Sequence, residues 1–523
     1  MARQRWTSKL GVVLAVAGSA IGLGNFLRFP VQVAGNGGGA FMIPYFVALL
    51  LVGLPLMWIE WTIGRFGGGF GHSTAPGIFH SLWNKSRFIK YFGVIGIFGP
   101  MIIFIYYIYI ESWLLGYSVF AIIGKYNSCT TEQAMTSFLQ AYQGLVKNEF
   151  FSSITPAYFF FIITFIINVA IVYLGISKGI ERVCEYALPV LFAFALILLI
   201  RVLTLGTPNP AKPENNIVNG LGFLWNPDWS ALKSAKVWMA ATGQIFFTLS
   251  CGIGMILTYA SYLTKQDDVA LSGLGAAATN EFAEVILGGS IVIPAAFVFF
   301  GSAGAAQIAQ GGAFNLGFVT MPLVMQKIAF GNIFGFMWFM LLFLAGITSS
   351  ISLAQPAVAF LEDEFNFSRR KASGVFAIIT FILCQPVIFF LGRGVLDELD
   401  FWSVNVCLIV FATIEAFLFA WVFGMEKAWT ELHTGSDIQI PKIYRFIIKY
   451  ITPLFLLTIL SVWCWQDWRS VILMQKVAPE NKPFVLATRI GLVIFFVVLA
   501  YLVRRSWRQR SKKRAEGVSS DAY

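Results

Sequence analysis

Thirteen residues near the N-terminus, Gly18-Ser19-Ala20-Ile21-Gly22-Leu23-Gly24-Asn25-Phe26-Leu27-Arg28-Phe29-Pro30, place three glycines, an asparagine and an arginine inside a segment that is otherwise apolar from about 10 to 33. The segment is long enough to cross a bilayer as a helix, and glycine at that density breaks one. Freed backbone amides and carbonyls at membrane depth are tolerated only against protein or a water-filled cavity, so these groups should line a binding site. A second apolar run is interrupted in the same way at Gly243-Gln244-Ile245-Phe246-Phe247-Thr248-Leu249-Ser250-Cys251-Gly252-Ile253-Gly254. The chemistry on offer is coordination by carbonyls, amides and hydroxyls. Bond-making signatures such as G-x-S-x-G, H-E-x-x-H or a phosphate loop are missing from the sequence, and Gly67-Gly68-Gly69-Phe70-Gly71 resembles a flexible turn.

The elements that must position these groups are membrane helices. The 523 residues are 58% hydrophobic and only 12% charged, with a mean hydropathy of +0.74, well outside the usual range of soluble domains. Runs of spanning length recur near 10–33, 39–63, 91–123, 157–175, 183–205, 237–263, 283–300, 333–361, 374–391, 401–424, 447–465 and 484–503, about twelve in all. The first is too long for a signal peptide and leads into Asn25, Arg28 and Pro30 instead of a small-residue cleavage site. With the N-terminus inside, Lys85, Arg87, Lys90, Lys178, Arg182, Lys265, Arg369, Arg370, Lys371, Lys442, Arg445 and the tail from Arg504 to Arg514 fall on the cytoplasmic side, as the positive-inside rule expects. Both termini are then cytoplasmic in a multi-pass protein of the cell's inner (plasma) membrane.

The net charge of +11 follows from the same bias. The densest basic run directly follows the last apolar segment, which points to anionic lipid headgroups and away from nucleic acid as its partner. Six cysteines (Cys129, Cys184, Cys251, Cys384, Cys407, Cys464) form no C-x-x-C pair and predict neither a disulfide framework nor a metal site; the three histidines (His72, His80, His433) are expected in loops. The two interrupted runs are the first and the sixth. A spacing of five sets the second upside down relative to the first, the sequence mark of an inverted repeat. The expected fold is an all-α polytopic membrane protein of about 12 transmembrane helices in a 5+5 inverted repeat with helices 1 and 6 unwound. Its divisions are 1–205 (first repeat), 206–424 (second repeat), 425–503 (helices 11 and 12) and a basic cytoplasmic tail, 504–523.

The segments Gly18 to Pro30, Asn36-Gly37-Gly38-Gly39-Ala40-Phe41, Trp58-Ile59-Glu60, Tyr106 to Trp113, Ile176-Ser177-Lys178-Gly179-Ile180-Glu181-Arg182, Gly243 to Tyr262 and Ala345 to Pro356 resemble the bacterial branch of the neurotransmitter:sodium symporters. The resemblance runs from about Arg3 to the twelfth apolar run. It implies two sodium sites, and sodium, a hard cation, suits the oxygens present. The first comprises the Ala20 and Thr248 carbonyls, the side chains of Asn25, Thr248 and Asn280, and the substrate's own carboxylate. The second comprises the carbonyls of Gly18, Ile21 and Ala345 with the hydroxyls of Thr348 and Ser349. Taken alone, Thr348, Ser349 and Ser350 equally suit interhelical hydrogen bonding; beside two broken helices the sodium reading is preferred.

An amino-acid substrate is implied between the same elements: carboxylate on the amides of Leu23 and Gly24 and the Tyr107 hydroxyl, at a half-helix N-terminus that favours an anion. Its ammonium would meet carbonyls of Ala20, Phe247 and Thr248 and the Ser250 hydroxyl. Ser19, Ile21, Ile103, Tyr107, Phe247, Ile253, Ser349 and Leu353 complete the substrate set. Monoamine carriers of this family have an aspartate where this chain has Gly22, so the glycine implies a substrate that brings its own carboxylate. The apolar pocket favours a neutral aliphatic or aromatic side chain. Compared with leucine carriers of the family, Ile253 replaces a phenylalanine and Ser19 an asparagine, leaving room for a larger side chain. The resemblance further implies an outer gate of Arg28 and Asp400, an inner gate of Arg3 and Asp363 with Trp6, Ser261 and Tyr262 near it, and chloride independence, with Glu284 supplying the negative charge near Tyr45, Gln244, Thr248 and Asn280. Glu60 and Glu111 are expected to bond helix ends or backbone. The function expected is sodium-coupled symport by alternating access, in a protein that is not an enzyme. A sodium-dependent amino-acid sensor, or a transporter of another small carboxylate-bearing solute, is the alternative. Membrane lipids surround it, and assembly as a homodimer is left open.

Overall fold

The computed structural model describes residues 6–515; Arg3 of the expected inner gate and the last eight residues of the expected tail lie outside them. Among the described residues the chain is helical throughout, and its lone β pairing is an isolated bridge between Gly38 and Pro227. Among the described residues, nine helices are long and apolar enough to cross a membrane, or ten when the bent pair Lys9–Ala20 and Gly24–Gly35 counts as one span. The longest of them, Thr155–Leu203, is two helices, Thr155–Gly175 and Arg182–Leu203, turned at Gly175 where φ is +86°. The sixth run is likewise two pieces, Ala235–Leu249 and Met255–Ala260, each shorter than a membrane. With these two resolved, the helices follow the twelve runs of the sequence.

The first broken helix packs against Gly331–Phe365, Arg182–Leu203 and Val269–Glu281, and Gly331–Phe365 lies along Ile95–Ile122 at the centre of the molecule. Glycine permits the closest of these approaches: a Cβ on Gly68 would lie 2.0 Å from the Ser261 carbonyl oxygen, and one on Gly24 2.4 Å from the Phe247 ring. The last two spans, Ile443–Gln466 and Pro479–Arg510, sit outermost, and Trp465 there is 90% exposed, as lipid-facing helices are. Two histidines depart from expectation: His80 lies within the short helix Ala75–Leu82, and His433 ends Met425–His433 with its Nδ1 2.9 Å from the Trp429 carbonyl. Ala75–Leu82 is a short helix between spans, and Met425–His433 continues the span Val395–His433 past Gly424, where φ is +91°.

The break in the sixth span is held by backbone geometry that only special residues adopt. Ser250 (φ +54°), Gly252 (φ +74°) and Gly254 (φ +91°) all lie in the left-handed region, and a Cβ on Gly254 would stand 2.6 Å from the Gly96 carbonyl oxygen. Gly254→Ala is therefore expected to destabilise the protein by about 1–3 kcal/mol, read as a lower apparent melting temperature in detergent, whereas Gly243→Ala, which meets nothing within 4 Å, should leave it unchanged.

Candidate ion and substrate site at the broken helices

In the first span the helix stops at Ala20, Ile21 turns to an extended backbone (φ −73°, ψ +96°), and the chain resumes as helix at Gly24, its axis bent by 46°. Asn25 closes the gap, its Oδ1 accepting the Gly22 amide at 2.9 Å. In the sixth span Glu60, fully buried, accepts the Gly252 amide. The two breaks meet: the Ser250 hydroxyl donates to the Ser19 carbonyl at 3.2 Å, and the Ser349 hydroxyl reaches the same carbonyl at 3.2 Å and its own helix's Ala345 carbonyl at 3.1 Å.

Between the breaks lies a cavity of about 370 Å³. Of the substrate residues expected from the sequence, Ser19, Ala20, Leu23, Gly24, Ile103, Tyr107, Phe247, Thr248, Ser250, Ile253, Ser349 and Leu353 line it. Ile21 does not; its side chain is fully buried away from the cavity. The Tyr107 hydroxyl lies beside the Leu23 amide and the Ser349 hydroxyl, and a Cβ on Gly22 would fall 3.1 Å from Ser349 Oγ and 3.4 Å from the Tyr107 oxygen. Ile110, Met255, Val404, Asn405 and Leu408 also line the cavity and were not singled out by residue type. Met255 carried one signal, its position directly after the Gly252–Gly254 break, and its sulfur lies 3.8 Å from the Ser19 hydroxyl.

The first expected sodium set forms one polar cluster. Asn25 Nδ2 donates to Asn280 Oδ1 at 2.8 Å and lies 3.4 Å from Thr248 Oγ1, and Asn280 Nδ2 donates to Thr248 Oγ1 at 2.9 Å. Asn25 and Thr248 line the cavity, while Asn280 stands one hydrogen bond behind them. The second set lies behind the cavity wall apart from Ser349, which lines it. Thr348 Oγ1 is 3.1 Å from both the Leu344 and Ala345 carbonyls, and a Cβ on Gly18 would lie 3.3 Å from the Thr348 Cβ, so the first helix runs against the eighth at this point. A hydroxyl that donates along its own helix keeps its oxygen lone pairs for a cation. Ser350 instead donates to Asn168 Oδ1 at 2.6 Å, and Asn168 donates to Glu111 at 2.9 Å, which makes that trio an interhelical bond.

Glu284 sits under the first set. Its carboxylate accepts from Tyr45 (2.9 Å), from Gln244 (3.0 Å) and from the Thr248 hydroxyl; Asn280 reaches it through Thr248. Glu281, which the sequence reading did not name, takes the other contact of the Tyr45 hydroxyl at 2.7 Å. Its signal was the three-residue spacing that puts it on Glu284's face of the helix.

The expected outer gate is unmade. Arg28 and Asp400 both line the cavity, yet no ion pair joins them. The Arg28 guanidinium lies 4.4 Å over the Phe247 ring, and Asp400 accepts the Tyr106 hydroxyl at 2.6 Å. Each charge has found another partner, an aromatic face in one case and a phenol in the other. On the inner side, Trp6 Nε1 donates to the Tyr259 carbonyl at 3.1 Å and Asp363 accepts the Ser73 amide at 2.8 Å.

Two discontinuous helices meeting around a mid-bundle cavity of carbonyls, amides and hydroxyls define a secondary transporter. The chain belongs to the sodium:neurotransmitter symporter family, whose pattern it matches over residues 3–161 and 156–508. It is 32% identical over 459 residues to an uncharacterised sodium-dependent transporter of Methanocaldococcus jannaschii, covering 87% of this chain and 89% of that one. A second uncharacterised sodium-dependent transporter, YhdH of Bacillus subtilis, is 28% identical over 467 residues, covering 87% and 96%. The crystal structure of MhsT in complex with L-phenylalanine superposes with a TM-score of 0.74 at 31% identity, covering 88% of this chain and 99% of that one. The protein is thus a multi-pass, sodium-dependent membrane transporter with the family's 5+5 inverted repeat, and not an enzyme.

Asn25 holds the half-buried Gly22 amide and the buried Asn280 side-chain oxygen at once. Asn25→Ala is expected to leave both unpaired, at about 1–3 kcal/mol for each group, and to raise the sodium concentration needed for half-maximal substrate binding by at least about tenfold, measured by scintillation proximity across a sodium titration.

Proposed function

We propose that the protein is a chloride-independent sodium symporter of neutral hydrophobic, aliphatic or aromatic, amino acids. The observation that carries this reading is Gly22: its bare backbone faces the Tyr107 and Ser349 hydroxyls, and a Cβ there would stand 3.1 Å from Ser349 Oγ. Residue 22 carries no carboxylate of its own, so the carboxylate in direct contact with the first sodium comes from the ligand. The acidic side chains that line the cavity, Asp397 and Asp400, belong with Arg28 to its outer mouth. At the inner end the lining of Ile103, Ile253, Met255 and Leu353 suits an apolar side chain, since an ionised one needs a buried partner. MhsT is a family member whose structure holds L-phenylalanine, and the same class of ligand is assigned here.

In this reading two sodium ions bind, one on Ala20, Asn25, Thr248, Asn280 and the substrate carboxylate, the other on Gly18, Ile21, Ala345, Thr348 and Ser349. Sodium on the second set ties the first helix to the eighth and favours the substrate-binding form. Substrate then completes the first set, and the first, second, sixth and seventh helices rock around the filled site against a scaffold of the third, fourth, eighth and ninth. The Arg28–Asp400 gate closes outside it, and Arg3 with Asp363 closes the inner side. Helices 11 and 12, 425–503, stay peripheral, both termini are cytoplasmic, and lipid surrounds the protein in the plasma membrane. Two sodium ions per zwitterion draw about 4.6 kcal/mol from each 100 mV of potential, enough for more than about a thousandfold accumulation. Glu284, bonded by three donors, supplies the negative charge that chloride brings elsewhere in the family.

Reconstituted vesicles test the whole reading. Uptake of phenylalanine, leucine, methionine and tryptophan should need a sodium gradient and persist when chloride is replaced by gluconate; alanine outcompeting all four would overturn the substrate class, and loss in gluconate would overturn chloride independence. Gly22→Asp should abolish binding of these amino acids, and Glu284→Ser should render residual uptake dependent on added chloride.

A further inference from the structure

The last helix, Lys482–Ala515, runs on past its apolar stretch into basic sequence, and one stripe of this extension turns back onto the protein. Val503 and Ser506 are fully buried and Trp507 and Arg510 half-buried, while Arg504, Arg505 and Arg508 are exposed. The buried positions recur at three- and four-residue steps, one face of a helix. The basic composition of the run suits lipid headgroups throughout; Trp507 and Arg510 instead face protein.

What they grip is the inner end of Gly331–Phe365. The Ser506 hydroxyl donates to Glu364 Oε2 at 2.7 Å, Arg510 pairs with Glu364 Oε1 at 3.2 Å, and Arg510 also donates to the Asp363 carbonyl at 3.0 Å. The Glu364 side chain is 1% exposed. Around this pair the Trp507 ring stacks on His72 at 6.2 Å and meets His80 edge-on at 5.8 Å, and the Lys90 ammonium lies 5.1 Å over the same indole. The Asp363 carboxylate itself is held by the Ser73 amide at 2.8 Å, next to His72. The His72 ring also reaches Glu364 Oε1, at 4.0 Å, but the two shorter contacts of this buried carboxylate come from the tail, and their loss is costly. It also lies beside the residue assigned to the inner gate.

We propose that the C-terminal extension is a clasp: Ser506, Trp507 and Arg510 hold the turn that carries Asp363 and thereby keep the inner side of the transport path shut. The proposal rests on the reading of Asp363 as an inner-gate residue. When the clasp is released, the first half-helix, Lys9–Ala20, swings free of the inner face more often.

Hydrogen–deuterium exchange of the full-length protein in lipid nanodiscs with sodium tests this. Ser506→Asp, which sets a like charge against Glu364, and Arg510→Ala, which removes its ion-pair partner, should each speed exchange across residues 9–20 by roughly tenfold or more. Ser506→Thr keeps the hydroxyl and should exchange like the parent, as should the triple change of Arg504, Arg505 and Arg508 to Gln, which strips charge without touching Glu364. Faster exchange confined to residues 503–510, with 9–20 unchanged, would overturn the clasp, and so would equal acceleration by the triple variant. Asp363→Asn separates the two ideas. If it speeds 9–20 while Ser506→Asp and Arg510→Ala do not, the clasp fails and the gate reading stands; if it has no effect, the gate reading fails whatever the tail variants do.

Discussion

A backbone amide or carbonyl cannot go unpaired in hydrocarbon, and that single constraint organises this transporter. Breaking two helices at mid-membrane releases several such groups, and each one traced here has a specific partner. Asn25 takes the Gly22 amide, Glu60 takes the Gly252 amide, and the Ser19 carbonyl faces two hydroxyls from two other helices. Carbonyls and amides left facing the cavity are then those free to serve a ligand.

Close backbone approach is the second requirement, and glycine meets it. Gly24 against the Phe247 ring, Gly18 against Thr348 and Gly254 against the Gly96 carbonyl bring four spans, the first, third, sixth and eighth, near enough for short side chains to bridge. A Cβ at Gly22 would stand 3.1 Å from Ser349 Oγ and 3.4 Å from the Tyr107 oxygen, so the residue that admits a carboxylate-bearing ligand is also one where the packing is tight.

Much of this was legible in the sequence, for a physical reason. Glycine, asparagine and serine inside an apolar run violate the helix pattern, so Gly18 to Asn25 and Thr248 to Gly254 stood out without any structure. Resemblance then supplied Asn280, Thr348 and Ser349, whose types alone suit plain helix packing. Other residues obey the pattern and stayed hidden. Met255, Val404 and Leu408 are ordinary apolar positions until the tertiary fold turns them to the cavity, and Glu281 looked like a polar helix residue beside Asn280. Ser506 and Trp507 were masked by the arginines around them, because composition reports charge and not facing. The separation of Arg28 from Asp400 was not legible in principle: a gate's state is a property of a conformation, and one sequence serves both.

The Ser19 carbonyl receives hydroxyls from Ser250 on the sixth span and Ser349 on the eighth. In the proposed cycle those spans belong to parts that move relative to each other, so this oxygen sits on the parting line. Exchanging one donor for the other alters the balance by about the net value of one hydrogen bond, near 1 kcal/mol. A joint of that strength acts as a detent: firm enough to define a resting position, and weak enough that a bound ion can lift the molecule out of it.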